Sequence, residues 1–334
     1  MRQQKFALLL GLPVAAFALL PQAAFAAPKV VASIKPVHSL VAAVMEGVGT
    51  PELIVEGAAS AHTYNLKPSN ARALESADLV VWIGHGMEAF LEKPLESLSG
   101  KATVLTLEDA PGLVHLPFRE GGTFEPEAED AHGHGHAEHA EAGDHDDDAH
   151  EHEHEHEDHD ADPHGNDTHL WLDPMNAKAM TVEIAATLSK IDPDNALTYE
   201  KNAKALEASL DQLDAEIAKT VAPVKGKPFI VFHDAYHYFE NRYGLSVAGS
   251  VTVSPEVMPG AERISIIHDK IASLDAACVF AEPQFSSKLL DVVSEGTSAK
   301  SGTLDPLGAA LEPGPSLYPQ LMRDLASSLT DCLR

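Results

Sequence analysis

Histidine is concentrated in one stretch of this sequence. Between His132 and His164 there are eleven (His132, His134, His136, His139, His145, His150, His152, His154, His156, His159 and His164), set among acidic residues, glycine and alanine. Neutral imidazole is a good ligand for zinc, copper and nickel, and the interspersed carboxylates add charge attraction. The run DDDAHEHEHEHEDHD holds no apolar residue larger than alanine, so it cannot offset the entropy of ordering with a packed core. Ordering it on a metal costs binding energy. The tract is therefore expected to be a disordered, accessory collector that holds several ions weakly. A solvated acidic surface is the plainer alternative, but it would not need histidine at alternate positions.

Outside the tract, three histidines sit in contexts that look built. His62 lies in GAASAHTY, after an apolar run; His169 opens HLWLDP, directly after the tract; His233 ends the apolar run FIVFH. Asp305, in GTLDP, stands at the end of another such run. A rival arrangement uses His233 and His237, four apart in HDAYH, like the zinc-hydrolase HExxH. There a glutamate beside the first histidine acts as general base, whereas here the shorter Asp234 stands in its place. His38 and His85, near helix starts, are candidates to rim a site. His268 reads as a surface residue, and His115 lies in an uninformative Pro-rich loop.

These groups need elements to position them. Short apolar runs at 30–34, 53–55, 79–83 and 104–105 alternate with helix signals, as in buried parallel strands. The pattern recurs at 229–232, 246–248, 278–281 and in the run before Asp305. The fold class predicted is α/β: two similar α/β lobes joined by a long rigid helix. The boundaries expected are an N-terminal lobe over 27–191, a linker helix over 192–222 and a C-terminal lobe over 223–334. The linker carries Leu206, Leu210, Leu213, Ile217 and Val221 on one stripe, and Pro193 and Pro223 bracket it. In open α/β sheets ligands bind beyond the carboxyl ends of the strands. His62, His169, His233 and Asp305 can thus converge on an interlobe cleft.

The ends of the chain and its charge set the compartment. Arg2 and Lys5 precede an apolar run from Phe6 to Leu20 and the small-x-small triplet Ala24-Phe25-Ala26. That is the pattern of a secretory signal peptide over residues 1–26, with export to the periplasm expected. Of the formal charge of −28, nineteen acidic residues with no Lys or Arg fall between Glu120 and Asp167, leaving −9 for the rest. The acidity belongs to the loop of about 120–167 and argues against nucleic acid as partner. The two cysteines, Cys278 and Cys332, are most simply a disulfide in an oxidising compartment.

The phrases AHTYNLKPS, DLVVWIG, MEAF, HLWLDP, FHDAY, FAEPQF and GTLDPLG run through nearly the whole mature chain in order. With them the chain resembles the zinc-specific periplasmic solute-binding proteins of bacterial ABC importers, the ZnuA type of the metal-binding cluster. The resemblance implies a metal site in the cleft with histidine ligands at His62, His169 and His233. It also implies Zn²⁺ as transported ligand, no enzymatic activity, a monomer, and delivery to an ABC permease with its cytoplasmic ATPase. Manganese members carry a carboxylate at the third position, where the imidazole of His233 fits zinc. Manganese or iron transport, or surface adhesion on the same scaffold, are the alternatives. Some zinc members have a glutamate just before the first histidine, where this chain has Ala61. The fourth ligand is then Asp305, a water or a tract histidine, of which Asp305 would close a tetrahedral site. Zinc affinity is expected to fall below about pH 6.5, as imidazole protonates.

Overall fold

The computed structural model describes residues 27–119, 165–252, 255, 259–274, 278–286 and 288–334. The signal segment 1–26 and the eleven tract histidines lie outside the described residues.

The first lobe runs β1 (Val30–Ala32), α1 (Lys35–Val44), β2 (Glu52–Leu53), α2 (Pro68–Ser76), β3 (Leu79–Trp82), α3 (Glu92–Leu98) and β4 (Thr103–Thr106). Two helices follow, α4 (Pro174–Ile191) and α5 (Ala196–Val221). The second lobe runs β5 (Pro228–His233), α6 (His237–Tyr243), β6 (Ser246–Thr252), α7 (Ala261–Ser273), β7 (Cys278–Ala281), α8 (Lys288–Ser294), β8 (Lys300–Thr303) and α9 (Leu317–Leu333). Both sheets are parallel, and their orders, β2-β1-β3-β4 and β6-β5-β7-β8, are the same topology used twice. Each therefore reverses direction between its first and third strand, the place where α/β sheets open a crevice.

Local chemistry starts the elements where the sequence suggests. Pro36 and Pro68 stand in the first turns of α1 and α2, where a missing N–H costs nothing. Asp173 caps α4, its carboxylate accepting the Met175 N–H at 2.8 Å, with Pro174 next. Gly244 ends α6 at φ 64°, a left-handed position that side chains with a Cβ resist.

The expected linker is α5, whose 26 residues reach about 39 Å at ~1.5 Å each. Pro193 and Pro223 fall in the short 3₁₀ turns that flank it. All five stripe residues are buried, joined by Tyr199 and Ala203. The stripe packs against α4, α1 and α9, so one apolar core runs without a break from the first lobe into the second. A smaller cluster, including Ile230, Val251, Ile267 and Val293, fills the other face of the second sheet.

Polar ties add to that core. Lys35 Nζ, at the start of α1, donates to the carbonyls of Gly308, Ala309 and Leu311 at 2.7–3.0 Å. Trp171 Nε1 donates to Pro306 O, and Tyr318 donates its hydroxyl to Trp171 O. Together they fix the loop after Asp305 against the first lobe. Among the described residues no helix is long and apolar enough to cross a membrane.

Cys278 at the start of β7 and Cys332 near the end of α9 form the expected disulfide, closing a separation of 54 residues. By loop-closure entropy a bridge of that span is worth about 4 kcal/mol. Replacing both cysteines by serine is expected to lower unfolding free energy by up to that amount in denaturant titration. The histidines lie elsewhere, so the number of tightly bound metal ions should not change.

Candidate metal centre

Three histidines far apart in the chain come together. One ring nitrogen from each of His62, His169 and His233 falls within 4.8 Å of the others. Ring centroids are separated by 5.5 Å (His62–His169), 5.8 Å (His62–His233) and 5.3 Å (His169–His233). Among the described residues this is the one such group of histidine, cysteine and carboxylate donors.

Each ring arrives by a different route. His233 is the last residue of β5, and Glu282, just past β7, lies beside it at the second sheet's crevice. Glu282 Oε1 holds His233 Nδ1 at 2.7 Å. In the first sheet the same crevice is filled by the buried Glu88, which accepts from Ser33 Oγ and from the N–H groups of Ile83 and Gly84. Burial pushes that carboxyl up to about 7. With the crevice occupied, this lobe's ring comes from the loop after β2, where half-buried His62 follows buried Ala61.

His169 comes from the segment where the chain re-enters the lobe after the tract. Pro117 pairs antiparallel with Asn166, and Asp167 N–H donates to Leu116 O at 2.8 Å, so the chain leaves and returns at one place. Tyr238 of α6 ties both strands, accepting from Leu116 N–H and donating to Asp167 O. Arg119, the last described residue before the tract, pairs with Asp234 and Glu240 of the second lobe. So held, Asp167 accepts the backbone N–H of His169 and takes its Nδ1 at 2.7 Å.

Both rings are thus oriented by a carboxylate on Nδ1, which leaves Nε2 for the metal. The two Nε2 atoms stand 3.3 Å apart. A tetrahedral zinc with Zn–N of about 2.0–2.1 Å spaces neighbouring nitrogens by about 3.3–3.4 Å, so this edge of the site fits the ion. The rings open on a cavity of ≈ 10 Å³, also walled by Met87, Trp171, Phe285 and Leu307. That is room for one ion or water.

Charge on the rings divides unevenly. His62 and His169 are held well below the ordinary imidazole range, first by burial and then by neighbouring rings. For His233 burial also pulls downward, but Glu282, Asp234 and Asp167 outweigh it and the ring is raised. Without metal, His233 is the ring that carries the proton, and an incoming ion must displace it. Because its value lies above the ordinary 6.5, competition sets in as pH falls through that raised value. The onset therefore lies higher than the pH of about 6.5 expected from unperturbed rings. Zinc affinity is expected to drop about tenfold per pH unit below it, one proton per ion. Calorimetry in buffers of different ionisation enthalpy counts that proton, and a slope approaching three protons would contradict the division.

Other sequence-based expectations need correction. Asp305 lies outside the histidine group. Its Oδ1 accepts from Gln284 Nε2 and from the N–H groups of Leu307 and Gly308, and its Oδ2 from Ala309 N–H. Spent on folding its own loop, this carboxylate shapes the cavity wall instead of pointing into it. HDAYH does not form a helical pair, because His233 ends a strand and His237 begins α6. His237 stays outside the group, with Nδ1 4.0 Å from Asp167 Oδ2. His38 does not rim the cleft; it is buried, with Nε2 3.0 Å from Pro51 O. His85 is exposed beside Trp82 and Glu92. His268, by contrast, lies at the surface on α7 as expected, near Glu295 O.

Asp167, Glu282 and Arg119 were not singled out from the sequence. Asp167 was one of nineteen acidic residues in the tract segment. Nothing in the segment FAEPQF marks Glu282 as functional, and only the strand order brings it beside His233.

Residues 30–332 match the family model described as zinc-uptake complex component A, periplasmic (ZnuA). The chain is 59% identical over 304 residues to the high-affinity zinc uptake system protein ZnuA of Brucella abortus (strain 2308), covering 91% of each. Its fold is similar to a crystal structure of ZnuA, with TM-score 0.72 and 24% identity over 92% of this chain and all of that one. It is also similar to the laminin-binding protein of Streptococcus agalactiae, described as bifunctional with adhesin and metal-transporting activity (TM-score 0.70, 24% identity, 92% and 100% covered).

Proposed function

The chain belongs to the ZnuA family of periplasmic zinc-uptake components, and from that premise we propose that it captures Zn²⁺ and delivers it to an ABC permease driven by a cytoplasmic ATPase. The observation that carries this reading is the convergence of His62, His169 and His233, with carboxylates behind two of them. An all-nitrogen donor set suits zinc over manganese, which prefers more oxygen. Residues 1–26 act as the export signal, and the mature chain, from residue 27, works as a monomer. Lobes are bounded at 27–191 and 223–334, with 192–222 between them. A cavity of ≈ 10 Å³ suits a single ion, and in this reading the protein carries that ion and catalyses no reaction.

In this reading the three histidines form the tight site. The tract from His132 to His164 is an accessory that raises the local zinc concentration, and handover to the cleft proceeds by ligand exchange. Competition calorimetry on protein lacking residues 132–164 tests both parts. One tight zinc equivalent should remain, and manganese or iron should fail to displace it at equal concentration. Loss of the tight equivalent would return the main site to the tract, and displacement by manganese would overturn the zinc assignment.

A further inference from the structure

Gln284 lies on the wall of the same cavity, in the turn that follows β7. Its amide has one permitted orientation. Nε2 donates to Asp305 Oδ1 at 2.9 Å, and that carboxylate already accepts three backbone N–H groups of its own loop. A carboxylate in that role only accepts, so the amide nitrogen must face Asp305 and the oxygen must face away. The oxygen, Oε1, is buried and has no hydrogen-bond partner among the described residues. A buried amide oxygen left so is costly, and a bound water or ion is one of the ways such an atom is satisfied.

The metal geometry supplies a partner of the right kind. A tetrahedral zinc would take three corners from these imidazoles, and Asp305, committed to its loop, would not fill the fourth. A water bound to zinc would be a strong O–H donor, and Gln284, which lines that cavity, carries an unpartnered acceptor in Oε1. We propose that Gln284 is a positioning residue for the fourth corner: its Oε1 accepts a hydrogen bond from the water that completes the coordination of zinc. The proposal rests on the zinc-capture reading above. It has a consequence for selectivity, because an amide oxygen attracts an O–H and repels an anion. The corner thus favours neutral water over small anions, and a corner held by water stays open to the incoming ligand that removes the ion.

Two variants separate this from a merely structural role. Gln284→Met keeps the size and removes the acceptor; Gln284→Glu keeps an acceptor oxygen and adds negative charge. Zinc affinity is read by chelator competition, and the fourth corner by titrating the Co²⁺-loaded protein with azide and following visible absorption. Gln284→Met is expected to weaken zinc about tenfold and to bind azide about five- to tenfold more tightly than the unsubstituted protein. Gln284→Glu should bind azide more weakly than the unsubstituted protein. A role confined to packing would loosen zinc without moving the azide preference. Equal azide affinity in Gln284→Met and the unsubstituted protein overturns the assignment, whatever happens to zinc. Should Gln284→Met not fold, azide binding by Gln284→Glu equal to or tighter than the unsubstituted protein overturns it alone. If the unsubstituted protein binds neither zinc nor cobalt tightly, the zinc-capture reading fails first, and the two failures are told apart.

Discussion

Replacing His169 or His233 by alanine is expected to weaken tight zinc binding by roughly two to three orders of magnitude. Structural zinc held by four ligands is worth about 10–16 kcal/mol, so one ligand carries about 2.5–4 kcal/mol. At ~1.4 kcal/mol per tenfold, that is a factor of about 60 to 700. Both rings are nine-tenths buried or more and come from packed elements. Among the described residues there is no further histidine or carboxylate in the group. The same substitutions at His150, His152 or His154 should leave the tight equivalent untouched. Competition against a chelator of known affinity, with the tract present and absent, measures both. A tight equivalent that survives His169→Ala in the tract-deleted protein would mean that the ion is held elsewhere.

Conservative changes behind the ligands come next in size. Glu282→Gln and Asp167→Asn keep the side-chain shape but remove the charge that orients each ring and strengthens it as a donor. Such partners typically account for about 10- to 100-fold in metal affinity. The two variants should differ in their pH behaviour. Glu282 is the largest of the influences that raise His233, working against burial, which lowers it. Without that charge the proton on His233 is less favoured, so proton competition moves to lower pH. Glu282→Gln is therefore expected to bind zinc about 10- to 100-fold more weakly at pH 8, yet to release less than one proton per ion near neutrality. Asp167 is itself pushed up to about 6, by burial above all. Asp167→Asn should weaken zinc by a similar factor and keep most of the proton release. Identical pH profiles for the two variants would contradict the placement of the proton on His233.

The alternation of short apolar runs with helical stretches made two parallel α/β lobes legible, since buried parallel strands need both faces apolar. The stripe from Leu206 to Val221 marked the linker for the same reason: one face of a long helix was apolar and had to be covered. His233 was legible as a strand-end residue because the run before it stops there. His62 and His169 were harder, since loops carry no periodicity and only their phrases singled them out. Asp305 shows where the residue type misleads. A carboxylate at a strand end looks like a ligand, but the tight turn after it presents three N–H groups in reach, and these hold it.

What the residues alone determined is therefore the donor chemistry, nitrogen-rich and suited to zinc, together with the layered class that presents strand ends to a cleft. A local pattern of hydrophobicity decides which segments must be buried, and side-chain type decides which metals a group can hold. The tertiary structure alone decided which donors meet. The closure at Pro117 and Asn166 brings Asp167 and His169, a local pair, into the lobe together, and Glu282 stands behind His233 because β7 lies next to β5. Glu282 is 49 residues from its ring in sequence and 2.7 Å from it in space. Such proximity is set by strand order and long-range packing, which no window of neighbouring residues encodes.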